Sequence, residues 1–184
     1  KRRDHAGGRR RGDGAHGRRG LQRGRGPSGE VADLLLARDN HLPGGQEQLI
    51  ITHALHIAAK LADAEGVGLE LVGGRIRKLT WAATGSRAAQ HYDQLRPDLA
   101  FVGCNGAHAS FGLSTPDPIE AVVKATIVQA ARRVVVLCDA SKQDQETLTR
   151  FCSLEQIDTF ITDRAPVGEL AQALEDADVE VVLA

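Results

Sequence analysis

The 184-residue sequence holds only three cysteines, Cys104, Cys138 and Cys152. Their number is odd, their spacing is wide, and Cys104 and Cys138 stand inside apolar runs, so neither a disulfide framework nor a metal-ligand spacing is indicated. They read as buried, reduced thiols. No apolar run approaches the roughly 20 residues needed to cross a bilayer, and the basic start is not followed by the apolar stretch of a secretory signal. The expectation is a soluble, cytoplasmic protein without membrane contact. Large apolar side chains are also missing from one end, where Leu21 is the only big aliphatic residue among residues 1–29.

Those 29 residues hold ten Lys/Arg against Asp4 and Asp13, together with nine glycines. Their net charge is +8, which leaves −9 on the other 155 residues of a chain whose total is −1. A segment so poor in apolar surface cannot offset its chain entropy. Residues 1–29 are therefore read as disordered, residues 1–47 together as an Arg/Gly-rich segment that is disordered or out of frame, and 48–184 as the folded domain. Without Phe or Tyr the basic segment lacks stacking platforms for single strands, and no recognition helix is evident. Its charge offers only salt-dependent, non-specific attraction to nucleic acid.

From residue 48 the pattern alternates between short β-branched runs and amphipathic stretches, the signature of an α/β fold with a mostly parallel sheet flanked by helices. Strands are expected at Gln48–Thr52, Leu69–Val72, Leu99–Gly103, Val134–Asp139, Thr159–Thr162 and Val179–Leu183. Helices are expected at Ala54–Ala64, Ser86–Arg96, Asp117–Arg132 and Pro166–Ala177. Asp117-Pro118 supplies a capping side chain ahead of a first-turn proline, with Glu120 near the positive end of the helix. Pro166 is expected to open the last helix in the same way.

Ligands of open α/β sheets bind outside the carboxyl ends of the strands. The residues that follow the strands here are polar and rich in glycine: Thr52-His53, Gly73-Gly74-Arg75, Cys104-Asn105-Gly106, Asp139-Ala140-Ser141-Lys142 and Thr162-Asp163. Glycines let a backbone approach an anion, and amides at a helix start donate to phosphate. Arg75, Lys124 and Lys142 offer positive charge, and the Asp139 carboxylate, an acceptor only, suits sugar hydroxyls. The candidate effector-binding set is Thr52, His53, Gly73, Gly74, Asn105, Gly106, Lys124, Asp139 and Lys142. Plainer roles compete: Gly73-Gly74 as a turn, Asp139 as a cap, and His53, His91 and His108, which lack metal spacing, as polar loop residues. No catalytic triad assembles around Ser141-Lys142, and no metal or cofactor is expected.

In this order the strand-end blocks resemble the carboxy-terminal sensor domain of DeoR-family repressors. The blocks are Ile51-Thr52-His53-Ala54-Leu55-His56-Ile57-Ala58, Leu71-Val72-Gly73-Gly74-Arg75-Ile76-Arg77, the Gly85 that precedes a helix, and Asp98 through Gly106 with Gly112-Leu113-Ser114. Glu120-Ala121-Val122-Val123-Lys124, Asp139-Ala140-Ser141-Lys142 and Ile157 through Asp163 complete them, covering about residues 48–184. The resemblance implies a fold similar to sugar-phosphate isomerases and CoA-transferase-like proteins, used for sensing rather than catalysis. It implies a repressor of carbohydrate metabolism that leaves its operator DNA when a phosphorylated sugar binds, and a homo-oligomer when intact. Asp139 and Lys142 resemble the family's inducer-response pair, while Lys124, Gly73 and Gly74 match positions near the site. His53 stands where the family usually has Asn. A sugar-phosphate isomerase or deaminase of the same fold is the competing reading, with Asp139 as its one candidate base.

Two departures from the family are expected. Its amino-terminal winged helix-turn-helix is missing, and so is the Gly-Thr-Thr loop that should cradle phosphate before residue 48. A frame slip accounts for the second. Arg38-Asp39-Asn40-His41, encoded as CGN-GAY-AAY-CAY and read one base further on with G at the arginine third position and C at the others, gives Gly-Thr-Thr-Thr.

Overall fold

A computed structural model describes residues 33–38 and 48–184. The expectations for residues 1–32 and 39–47 lie outside the described residues. The order of elements is β1 (Leu34–Arg38), β2 (Gln48–Thr52), α1 (Leu55–Leu61), β3 (Val67–Leu71), β4 (Arg75–Arg77), β5 (Ala82–Thr84), α2 (Ser86–Asp93), β6 (Leu99–Gly103), β7 (Gly106–His108) and β8 (Gly112–Thr115). It continues with α3 (Pro118–Ala130), β9 (Val134–Leu137), β10 (Thr149–Cys152), β11 (Thr159–Thr162), α4 (Gly168–Asp176) and β12 (Glu180–Leu183).

Among the described residues seven strands form the main sheet, in the order β12-β11-β9-β6-β1-β2-β3. All its pairings are parallel except those of β1, which runs antiparallel to both β6 and β2. Nine residues separate β1 from β2, fewer than the dozen or more a parallel crossover requires, so the antiparallel pairing suits the length of chain between them. Leu35 lies opposite Ile51 on one side and Ala100 on the other, and all three are buried. The core continues through Val102, Val136 and Phe160 on the sheet and Val123, Ile127, Leu170 and Leu174 on the helices.

The mostly parallel α/β architecture agrees with the sequence reading, and β2, β6 and β11 keep their expected bounds. The start of the folded unit moves. Leu34–Arg38, assigned by sequence to the leading segment, fills the middle of the sheet because Leu35 faces the core between two neighbours. Three strands shift at their ends, the last of them by one residue to begin at Glu180. Gly66 takes a positive φ and releases the chain into β3 at Val67, while Asp139 leaves the ladder of β9 to cap a 3₁₀ turn over Ala140–Lys142. Pro166 precedes the last helix without opening it, since Val167 is still extended and α4 begins at Gly168.

The sequence pattern also missed the short strands. β4 and β5 form a hairpin, and β10-β8-β7 form a separate three-stranded sheet. The Ala83 N–H donates to the His53 carbonyl at 2.8 Å, and that of Leu55 to the Trp81 carbonyl at 2.9 Å, so the hairpin is stitched to the chain just beyond β2. Arg77 ties it to α3 through Asp117 at 2.9 Å and Glu120 at 3.4 Å. Asp117 caps α3 as expected, accepting from the N–H groups of Ile119 at 2.8 Å and Glu120 at 3.2 Å.

Candidate functional site

The carboxyl ends of β2 and β6 converge on Asp33, the residue just before β1. Its Oδ1 accepts from the Gly103 N–H at 2.8 Å, and the Lys124 ammonium donates to Oδ1 at 2.9 Å and Oδ2 at 2.8 Å. Lys124 reaches in from α3 and also donates to the Gly103 carbonyl at 3.0 Å. Burial opposes its charge, but Asp33, by charge and hydrogen bond, outweighs that and, with help from Glu120, raises its pKa. The Thr52 hydroxyl donates to the Asp33 carbonyl at 2.8 Å and accepts from the Ala54 N–H at 3.1 Å.

His53 closes the cluster. Its Nδ1 lies 2.9 Å from the Tyr92 hydroxyl and its Nε2 lies 3.8 Å from Asp33 Oδ2. Burial lowers the His53 pKa to about 4, with Asp33 raising it and Lys124 lowering it. The ring is therefore neutral at neutral pH. A carboxylate only accepts, so the geometry favours a proton on Nε2 and a hydrogen bond from Tyr92 to Nδ1. Burial, then Asp33, pushes the Tyr92 phenol up, which keeps it a donor.

Asp139 and Lys142 form a second group at the end of β9. Asp139 Oδ1 accepts from the Ser141 N–H at 3.0 Å and from the Ser141 hydroxyl, and Lys142 lies 3.1 Å from Oδ2. The Ser141 hydrogen bond chiefly lowers the Asp139 pKa, against partial burial, and Lys142 adds to it. Asp139 thus serves as the turn cap weighed for it while presenting a half-exposed carboxylate. Asp163, at the end of β11, accepts from the Ala140 N–H at 2.7 Å and holds the same turn.

Asn105 and Gly106 follow β6, and the Asn105 N–H donates to the Ser114 carbonyl at 2.9 Å. A Cβ on Gly106 would collide with the Gln145 carbonyl and lie 2.9 Å from Ser114 Oγ. Gly73 faces open space, whereas a Cβ on Gly74 would lie 2.8 Å from the Thr84 carbonyl. Gly74 and Arg75 line a cleft of about 490 Å³ with Thr84, Gly85, Ser86, Arg87 and Ile119.

The structure thus joins Thr52, His53 and Lys124 around Asp33 and pairs Asp139 with Lys142. Asn105 and Gly106 stand at the end of β6, which neighbours β9 in the sheet, and Gly73 and Gly74 lie beside the hairpin cleft. Sequence reasoning missed Asp33 and Tyr92. The first is a lone carboxylate abutting the apolar Leu34-Leu35-Leu36, and the second is the only tyrosine, four residues after the buried Ala88 on one helix face. Among the described residues no group of three His, Cys, Asp or Glu could hold a metal ion, and no helix is long and apolar enough to cross a membrane.

A mixed α/β sheet with polar side chains gathered beyond its strand ends defines a class of small-ligand-binding domains. The profile of the DeoR C terminal sensor domain matches residues 35–164, well over half of the chain, and the chain belongs to that family. It is 34% identical over 132 residues to the HTH-type transcriptional regulator GlpR of Haloferax volcanii, spanning 72% of this chain and 51% of the relative. Identity is 29% over 135 residues to a putative aga operon transcriptional repressor of Escherichia coli O157:H7, spanning 73% and 50%. The glycerol-3-phosphate regulon repressor of Escherichia coli K12 is 26% identical over 134 residues, spanning 73% and 53%. The chain therefore spans about half the length of these relatives. Their names are those of transcriptional regulators, in line with the expectation of a regulator rather than an enzyme.

Proposed function

We propose that this chain is the effector-sensing part of a DeoR-type repressor. A phosphorylated sugar or related metabolite binds beyond the carboxyl ends of β2, β6 and β9 and shifts the intact protein away from its operator. DNA contact then belongs to a helix-turn-helix outside the described residues, and the intact repressor is a cytoplasmic homo-oligomer. What supports the reading is two polar groups at the strand ends, Thr52, His53 and Lys124 around Asp33 and Asp139 with Lys142, with Asn105 following β6, in a chain of this family.

The chemistry divides among these groups. Lys124 is buried and neutralised by the buried Asp33, so it organises the floor of the site; phosphate recognition falls to backbone amides, Arg75 and Lys142, whose partner Asp139 is half-exposed. The Asp139 carboxylate accepts from sugar hydroxyls. An isomerase would need a base working near neutral pH, and a carboxylate whose pKa is held down by Ser141 and Lys142 is poorly suited to that task. We also propose that the frame slip near Arg38 removed the phosphate-cradling loop, a reading that resequencing ends if no alternative frame encodes Gly-Thr-Thr there.

The test is thermal unfolding of the purified chain with a panel of sugar phosphates, the parent sugars and inorganic phosphate. Ligand at about 100 times its Kd stabilises the folded state by about 2.7 kcal/mol. A rise in Tm with one or more sugar phosphates, lost in Asp139→Ala, is the expected result. No response to any sugar phosphate, in this chain or in one with the loop restored, overturns the reading.

A further inference from the structure

Two cysteines meet at the rim of the sheet. Strands β6 and β9 are parallel neighbours paired Val102 to Val136 and Gly103 to Leu137, which puts Cys104 opposite Cys138 one step beyond the ladder. Each cysteine is two residues past a valine of that first pair, so both side chains leave the same face. Neighbouring strands lie about 4.8 Å apart, inside the roughly 4.4–6.8 Å Cα separation of disulfides. The Cys138 thiol donates to the Asp139 carbonyl at 3.6 Å, at the same strand end. Cys152, on β10, belongs to the other sheet.

We propose that Cys104 and Cys138 are a dithiol oxidised reversibly to an intramolecular disulfide by a small peroxide. Cys104 attacks as the thiolate: its sulfur bonds to one peroxide oxygen, the O–O bond breaks, and the other oxygen leaves as water after taking a proton. Cys138 then attacks the resulting sulfenic acid, the S–S bond forms, and the hydroxyl leaves as a second water. Two thiols lose two electrons, and one peroxide becomes two waters.

The surroundings assign the two roles. The neighbouring Cys138 thiol, then Lys124 and Lys142, lower the Cys104 pKa against burial and Asp139. Cys138 is raised by the neighbouring Cys104 and by burial, so it keeps its proton until it resolves the sulfenic acid. Cys152 is pushed up to about 12, mainly by burial, and takes no part. All three thiols are buried, which selects a small neutral oxidant over a bulky disulfide. The cross-link would lie between Asn105-Gly106 and Asp139-Lys142, so oxidation state and effector affinity share one rim.

The experiment treats the full, reduced chain with hydrogen peroxide, unfolds it, alkylates the remaining thiols and maps the peptides without reduction. Free thiols are expected to fall from three to one, with a mass loss of two hydrogens, a Cys104–Cys138 linked peptide, and recovery of all three thiols on treatment with dithiothreitol. In Cys138→Ala a 1,3-diketone should trap a sulfenic acid on Cys104. Survival of all three thiols, oxygen adducts without a link, or a bridge to Cys152 or to a second chain would each overturn the proposal. The wild-type peptide map decides it even if the variant fails to fold.

Discussion

Asp33 organises the buried electrostatics of this domain. Its carboxylate takes two hydrogen bonds from Lys124 and one from the Gly103 N–H, all beneath the surface. Asp33→Asn leaves the Lys124 charge uncompensated, and breaking a buried pair from one side costs about 3–5 kcal/mol. The urea midpoint should fall accordingly. Because the cost is that of an orphaned charge, adding Lys124→Met to Asp33→Leu should restore part of the loss. A double variant as unstable as the sum of its single variants would mean that the two residues act separately. His53 makes a second prediction. Its folded pKa of about 4 lies below the ordinary value of 6.5, so the unfolded chain binds more protons between those limits. The contribution is fully present above about 6.5 and is lost as pH falls through that window towards 4. It amounts to about 3 kcal/mol. In His53→Asn, which installs the residue usual in the family, stability between pH 4 and 6.5 should be flatter than in the wild type.

At the scale of elements, Asp117 joins two structures by one side chain. It caps α3 and receives Arg77 from the hairpin. Asp117→Ala should cost about 0.5–2 kcal/mol, the usual loss of an N-cap, whereas Asp117→Asn keeps the cap and loses only the charge on Arg77. Equal losses in the two variants, measured by urea unfolding, would place the contribution in the ion pair instead. This helix was legible in the sequence because its signals are local: Asp, Pro and Glu within four residues. β2, β6 and β11 were legible for a similar reason, as runs apolar enough to be buried on both faces. β7, β8 and β10 were not, since three or four residues with glycine and polar side chains carry no clear period and are held by pairing with distant partners. At the site, strand-end position pointed to Asp139 and Lys142, yet it could not show that Lys124 is spent on Asp33, 91 residues away. That pairing depends on tertiary structure, and Asp33 sits next to a segment whose composition speaks against folding.

For the whole molecule, the question is where the folded unit begins. Composition points to residue 48, and the sheet points to residue 33. A chain starting at 48 lacks β1, which stands between β6 and β2. It would leave the ladder groups of both neighbours unpaired, uncover Ile51 and Ala100 where Leu35 covered them, and strip Lys124 of its counter-charge. Full burial of one leucine alone contributes about 1.5–3 kcal/mol, and an orphaned buried ammonium adds about 3–5 kcal/mol. A domain's whole stability is about 5–15 kcal/mol, so these losses together are of the same order. Residues 33–184 should therefore unfold cooperatively on heating, while 48–184 should show a much lower Tm or no cooperative transition. Equal transitions for the two would mean that β1 adds nothing to the sheet, and the folded unit would then begin at β2.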